Sequence, residues 1–312
     1  MRSAIGIDVG GTKVAALLVA EDGSVLDREE RDTPAEDVEG TMETIHEVAA
    51  ALATKAGESV GVGAAGMVDF AAGAMRSAPN LAWKEVPIRD LVAERSGLPC
   101  VVDNDANAAA WGEYRFGAAR GYRHVLVVTV GTGIGGGIVA DGELFRGANG
   151  FAAEIGHFIV EPDGPQCGCG NRGCWEQVAS GQALDRLGRR EAERDPGGRI
   201  AALGAGREVS GRHVSLAARD GDEAAIRIFR EVGRRLGEGI GGLVNVLDPE
   251  VVVVGGGVAE EGALLLEPAR RAFREAVEAP EHRPEVPIIE AALGNDAGAI
   301  GAAALALDLV SR

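Results

Sequence analysis

Two stretches of this chain, about 120 residues apart, follow one plan. The first is Ile7-Asp-Val-Gly10-Gly-Thr-Lys13-Val-Ala-Ala-Leu-Leu-Val-Ala20-Glu-Asp-Gly23, and the second Val128-Thr-Val-Gly131-Thr-Gly-Ile-Gly-Gly-Gly-Ile-Val-Ala140-Asp-Gly142. Each is an apolar run, a glycine turn, a second apolar run closing on Val-Ala, and an acidic-Gly turn. An apolar run broken by glycine and then resumed reads as the two strands of a hairpin. The same hairpin at the head of two halves points to duplicated α/β domains facing one another across a cleft.

The rest of each half agrees with that plan. Residues 25–31 read as a further strand, and residues 35–56 as a helix with Val38, Met42, Ile45, Val48, Ala49 and Leu52 on one face. Short apolar strands are expected at 60–65 and 100–103, and a helix at 105–116. In the second half a long helix spans 221–247. Val251–Val254 is a buried strand running into Gly255-Gly256-Gly257, and a helix follows to about Val277. A strand at 286–290 and an alanine-rich helix at 298–309 complete the reading. Residues 193–212 lack periodicity and read as a surface excursion. No long linker separates the halves.

A length of 312 residues fits about two domains. The net charge of -17, with only Lys13, Lys55 and Lys84 as lysines, argues against nucleic acid, because phosphate contacts need clustered cations. No apolar run reaches the roughly 20 residues of a membrane span. The chain opens directly on the strand-like Ala4–Asp8 without the features of a signal peptide. A cytoplasmic protein with reduced thiols is therefore expected.

Three of the four cysteines fall at 167, 169 and 174, just after His157. Three thiolates and an imidazole form a tetrahedral Cys₃His set suited to Zn²⁺. Glycines 168, 170 and 173 let the chain fold tightly enough to bring the sulfurs within about 2.3 Å of one ion. Four protein ligands close the shell, so this zinc is expected to be structural, with His157, Cys167, Cys169 and Cys174 as its ligands.

Three glycine clusters, Gly10-Gly11-Thr12, Gly131–Gly137 and Gly255–Gly257, each follow an apolar strand. Such junctions let backbone N–H groups approach phosphate oxygens. None is a dinucleotide fingerprint, because Gly10-Gly11-Thr12 leads into a strand where that fingerprint needs a helix. Lys13 can offer a cation to phosphate or project into solvent. Asp8, ending the first strand, is a candidate for holding Mg²⁺ or a turn cap. Asn104-Asp105 opens a helix after a strand. A carboxylate there can take a proton from a substrate hydroxyl, and as a helix cap Asp105 would carry a depressed pKa. Asn80, Asn104, Asp105, Glu154, His157 and Glu176 are polar groups in apolar or glycine-rich sequence, the paired donors and acceptors a neutral polyol needs.

Taken together these motifs resemble the ROK family (repressor, open reading frame, kinase), specifically its bacterial glucokinases. The residues that carry the likeness are Asp8–Lys13, Pro79-Asn80-Leu81, Asp103–Glu113, Gly131–Gly137, Glu154-Ile-Gly-His157, Cys167–Glu176 and Gly255–Val258. The resemblance implies a ribonuclease H-like (actin/hexokinase-type ATPase) fold. It further implies a small α/β domain at 1–105 joined by the C-terminal helix at about 298–312, and a large domain at 106–297 with the zinc segment 157–174. Glucose 6-phosphorylation by Mg-ATP follows as the expected activity, with another hexose or an N-acetylhexosamine as the alternative substrate. By the same likeness, Asp8, Gly10, Gly11, Thr12, Lys13, Gly131, Thr132 and Gly133 hold ATP phosphates, with Gly255, Gly256 and Gly257 near the nucleoside. Gly66, Asn80, Asn104, Asp105, Glu154, His157 and Glu176 contact the sugar, and Asp105 is the general base. His157 serves both zinc and sugar. Regulators of this family place a winged helix ahead of the Asp-x-Gly-Gly-Thr motif; here seven residues precede Asp8, so a kinase is expected over a repressor. A homodimer or homotetramer is the expected assembly.

Overall fold

The computed structural model describes residues 2–53, 57–78 and 81–311. The first hairpin forms where the apolar runs place it. Strand β1 (Ser3–Val9) pairs antiparallel with β2 (Lys13–Ala20), and the Gly10 N–H donates to the Lys13 carbonyl across the turn at 3.0 Å. Strand β3 (Val25–Asp32) adds antiparallel to β2. Helix α1 (Val38–Ala53) starts later than residue 35, because the Pro34 carbonyl accepts the Asp37 N–H in a turn and the Asp37 carboxylate then accepts the Glu39 N–H. Its expected end at 56 lies outside the described residues. Met42, Ile45, Val48, Ala49 and Leu52 are buried on one face, as their spacing predicts.

Strand β4 (Val60–Ala64) lies parallel to β1. A small antiparallel sheet of β5 (Met67–Asp69), β6 (Ala74–Ser77) and β7 (Lys84–Val86) follows, unforeseen because strands of three or four residues carry almost no period. Helix α2 (Ile88–Ser96) leads to β8 (Cys100–Asn104), parallel to β4, and β8 runs directly into α3 (Asp105–Phe116). The main sheet has the order β3-β2-β1-β4-β8.

The second half begins with β9 (Val125–Val130), β10 (Ile134–Ala140) and β11 (Glu143–Leu144). After the cysteine segment come α4 (Glu176–Ala179), α5 (Gly181–Arg194), α6 (Arg199–Leu203), α7 (Gly211–Arg219) and α8 (Glu223–Leu247). Residues 193–212 are thus less irregular than expected: they hold α6 and the start of α7, with Ile200 buried, and α6 is too short to show a helical period. Strand β12 (Val251–Gly255), helix α9 (Ala263–Ala276), β13 (Ile288–Glu290) and α10 (Ala297–Leu309) complete the chain. The second sheet has the order β11-β10-β9-β12-β13. Strand for strand this repeats the first sheet: a hairpin strand pair, its leading strand at the centre, then two later strands added in turn. The duplicated topology is that of the ribonuclease H-like, actin/hexokinase-type ATPase fold.

Packing groups residues 1–127, 136–153 and 291–312 into one unit and residues 128–135 and 154–290 into another. This grouping differs from a division at residue 105, because α3 packs against α10, which itself covers the first sheet. One face of that sheet buries Ile5, Ile7, Val14, Val60 and Val62 with α1. The opposite face buries Ala4, Leu17 and Val19 against Ala299, Ile300, Ala303 and Leu307 of α10. A Cβ on Gly6 or Gly61 would lie 1.8 Å from the Ala299 or Ala302 carbonyl oxygen, so the helix seats directly on strand backbone. No helix among the described residues is long and apolar enough to cross a membrane.

Candidate active site and metal centre

In the first unit the parallel strands β1, β4 and β8 bring their carboxyl ends level, with Asp8 beside Gly63 and Gly63 beside Asp103. The carboxyl ends of parallel strands are where open α/β sheets place ligands. Asp8 and Asp105 lie close enough there for the charge of Asp105 to act on Asp8. Burial first, and the Asp105 charge second, push the Asp8 carboxyl up to about 7, with Lys13 offsetting part of the rise. The first turn of α10 adjoins it: a Cβ on Gly298 would stand 2.9 Å from the Asp8 carboxylate carbon. Two crowded carboxylates, one held well above its ordinary value, form a donor set that a divalent cation would relieve.

The head of α3 corrects one expectation. Asn104 is its cap: Asn104 Oδ1 accepts the N–H groups of Ala106 at 2.9 Å and Asn107 at 3.1 Å. Asp105 is the first helical residue, and burial raises its carboxyl above the usual carboxylate range despite nearby amides. A stronger base results than a helix cap would give. Asn104 Nδ2 donates to the Gly66 carbonyl at 3.1 Å, joining two residues expected on the sugar side. Gly66 sits at φ +146, and a Cβ there would meet the Ser77 carbonyl oxygen at 2.6 Å, so only glycine fits. Asn80 lies outside the described residues.

The turn at Gly10-Gly11-Thr12 is half-buried to exposed. Thr33 pins it, its N–H donating to the Thr12 carbonyl and its hydroxyl to the Gly10 carbonyl at 2.8 Å. The amides of Gly11 and Thr12 have no acceptor among the described residues, as an anion nest requires. Lys13 is exposed and its ammonium pairs with Glu30 at 3.0 Å.

In the second unit the turn Gly131–Gly133 is clamped by the start of α5. The Gly131 carbonyl accepts the Gly181 N–H at 2.8 Å, and the Thr132 carbonyl accepts the Gln182 N–H at 3.1 Å and the Ser180 hydroxyl at 2.8 Å. Gly131 and Thr132, together with Gly257, Val258 and Glu261, line a cavity of about 600 Å³ closed by Gly181, Asp185, Arg212, Ser215 and Arg219 of α5 and α7. Its size suits a nucleoside. The α5 and α7 wall was missed from sequence; Ser180, placed four residues past the glutamate that follows Cys174-Trp175, was the one available signal. Gly256, at φ +91, has no room for a Cβ beside Val130.

The cysteine segment folds as its spacing predicts. The ligand atoms of His157, Cys167, Cys169 and Cys174 all lie within 4.8 Å of one another. Cys169 Sγ is 3.6 Å from Cys174 Sγ, and Cys167 Sγ is 3.7 Å from His157 Nδ1. A disulfide needs about 2.05 Å, whereas the edges of a tetrahedron around zinc are about 3.5–3.8 Å. Burial holds the Cys167 and Cys174 thiols above their ordinary value, a cost that a cation removes by favouring thiolate. Gly173, at φ +69, could carry no Cβ, which would fall 1.5 Å from the Glu161 carbonyl oxygen. Trp175 anchors the segment: fully buried, it lies on Gly239 of α8 and donates its indole N–H to the Arg235 carbonyl at 2.9 Å.

Glu176 links two expected groups. Its Oε1 accepts the Cys167 thiol at 3.1 Å and lies 3.7 Å from His157 Nδ1. Its Oε2 faces the phosphate-side turn, where a Cβ on Gly133 would come within 2.3 Å of it. Glu154 is exposed and immediately precedes the short 3₁₀ helix that carries His157.

Residues 4–309 match the model of the ROK family. A Streptomyces coelicolor glucokinase is 44% identical, with 98% of each chain covered. The solved structure of a ROK family glucokinase from Streptomyces griseus in complex with glucose and AMPPNP is 46% identical, covers 98% of this chain and 99% of that one, and superposes with a TM-score of 0.89. A ROK hexokinase from Thermus thermophilus is 37% identical over 99% of both chains, with a TM-score of 0.80. With its duplicated sheets, Asp-x-Gly-Gly-Thr turn and His-Cys₃ cluster, the chain belongs to the ROK family.

Proposed function

We infer that this chain is a glucokinase, transferring the γ-phosphoryl group of ATP to the 6-hydroxyl of glucose. The likeness to a glucokinase solved with glucose and AMPPNP supports the substrate pair. The observation that carries the chemistry is the placement of half-buried Asp105 near Asp8 at the ends of parallel strands, where Gly63 pairs with Asp8 and a Cβ on Gly63 would stand 3.6 Å from the Asp105 Cα.

Asp105 accepts the hydroxyl proton as the sugar oxygen attacks, and it orients that oxygen in line with the phosphorus. Asp8 would hold Mg²⁺, which would supply positive charge to offset that of the phosphates. The Gly11 and Thr12 amides receive phosphate oxygens. Lys13 reaches them by leaving Glu30, an exposed pair worth less than about 1 kcal/mol. Gly131, Thr132 and Gly133 are further phosphate contacts by family likeness, and Gly255–Gly257 adjoin the nucleoside.

Asn80, Asn104, Glu154, His157 and Glu176, with Gly66, bind the sugar hydroxyls. Zinc held by His157, Cys167, Cys169 and Cys174 would supply a closed structural centre. His157 Nδ1 faces the thiols, which leaves Nε2 for the sugar, so the metal fixes a substrate-binding ring. By family likeness the functional lobes are 1–105 with 298–312 and 106–297, and the assembly is a cytoplasmic homodimer or homotetramer.

The test is coupled ADP release from Mg-ATP by zinc-replete protein across glucose, mannose, fructose, N-acetylglucosamine and N-acetylmannosamine. Strong preference for glucose is expected, and Asp105→Ala should lower kcat by roughly 1,000-fold. Turnover with an acetylated amino sugar alone would overturn the substrate, and full activity in Asp105→Ala would overturn the base.

A further inference from the structure

Behind Asp105 lies a charged side chain that the reading above leaves without a task. Asp103 is 1% exposed, yet it carries a carboxylate. Its Oδ1 accepts the Asn104 N–H at 2.8 Å and the Asn107 side-chain amide at 3.0 Å, while its Oδ2 accepts Arg146 Nε at 2.6 Å. Arg146 comes from a different part of the chain, the loop after β11. Its guanidinium lies 3.8 Å from the centroid of the Phe70 ring, a cation–π contact that fixes its plane. The loop closes on itself, the Ala152 N–H donating to the Arg146 carbonyl at 3.1 Å, and packs on β5: a Cβ on Gly150 would meet the Val68 carbonyl oxygen at 2.6 Å.

We propose that Arg146 is a positioning residue for phosphoryl transfer, setting Asn104 and Asp105 at the head of α3 through its ion pair with Asp103. The inference rests on Asp105 being the base. Asp103 is the acceptor for both the Asn104 backbone and the Asn107 side chain, so its position defines the strand-to-helix junction from which Asp105 projects. A buried carboxylate keeps that position only while a cation compensates it. Arg146 is that cation, and Phe70 and the loop closure hold it in register.

Arg146→Met keeps the side-chain length and removes the charge. In steady-state assays kcat should fall roughly 10- to 100-fold, while the KM for ATP stays within about 3-fold, because a displaced base slows chemistry without touching the nucleotide turns. Asp103→Asn with Arg146→Met removes the uncompensated charge and should recover at least about 5-fold of that loss. Unchanged kcat in Arg146→Met, or a double variant whose loss equals the product of the two single losses, would overturn the proposal. Should Arg146→Met not fold, Arg146→Lys carries the test, since an ammonium cannot both lie flat on Phe70 and present Nε to Asp103. Reduced kcat at unchanged ATP KM supports positioning, and wild-type kcat rejects it. Wild-type glucose turnover and its loss in Asp105→Ala are measured alongside; a failure there strikes the glucokinase reading itself, whatever Arg146 does.

Discussion

The turns at Gly10–Thr12 and Gly131–Gly133 start from one pattern and end in different surroundings. Aligned on their glycines, Asp8 in the first corresponds to Thr129 in the second. The first turn is pinned by a single threonine, and carboxylates gather beside it. The second has no acid at the matching position. Instead the head of α5 grips two of its carbonyls, and Glu176 presses on Gly133 from the cysteine segment. The duplicated hairpin thus stands in two settings: one copy ends beside carboxylates, and the other is a frame braced by α5 and the cysteine segment. Fold repetition preserved the strand order while the acid stayed on one copy only.

The sharpest way to break this contrast is to neutralise the two matched positions. Asp8→Asn is expected to lower kcat by roughly 100-fold, whereas Thr129→Val should change it less than about 3-fold. Comparable losses at both positions would mean the two turns still share one task. Next in size is the brace of the second turn. Cys174→Ser, or dialysis against a strong chelator, should release about one zinc per chain, read by atomic emission, and raise the KM for glucose roughly 10- to 100-fold. Zinc loss with an unchanged glucose KM would separate the metal from the sugar. Smaller still, Ser180→Ala removes one hydrogen bond to the Thr132 carbonyl and should raise the KM for ATP by roughly 3- to 10-fold with kcat nearly kept. An effect on kcat alone would place Ser180 elsewhere in the cycle.

A separate effect concerns stability. Asp8 is raised from 3.8 to about 7 in the fold, so between those values the folded chain keeps a proton that the unfolded chain has lost. Stability therefore falls as pH rises through that window and levels off above it. In metal- and nucleotide-free protein, Asp8→Asn should gain on wild type between pH 5 and pH 8, by on the order of 1–2 kcal/mol in urea melts. Parallel pH dependence in the two proteins would show that Asp8 is not the group responsible.

The repeat, the long helices and the His-Cys₃ cluster were legible because each is written in spacing: apolar runs around glycines, a helical period over 25 residues in α8, cysteines two and five apart. The ion pair between Asp103 and Arg146 was not, since it joins residues 43 apart that no local pattern relates. The same holds for the α5 and α7 wall of the 600 Å³ cavity, built from helices whose inner residues are ordinary in sequence. The ionisation of Asp105 was misread for a related reason. Its neighbour Asn104 took the capping role, and the burial that raises Asp105 comes from packing that lies far away in sequence.

The seating of α10 on Gly6 and Gly61 has a consequence for how the chain comes into being. Ala4, Leu17 and Val19 emerge from the ribosome early, but the residues that cover them, Ala299 to Leu307, emerge nearly 300 residues later. At roughly 5–20 residues per second, that face of the first sheet waits some tens of seconds for its partner. Through this interval the apolar face that α10 covers in the fold has no partner in the nascent chain. The sheet made first is therefore covered late, by the helix that also closes the Asp8 corner.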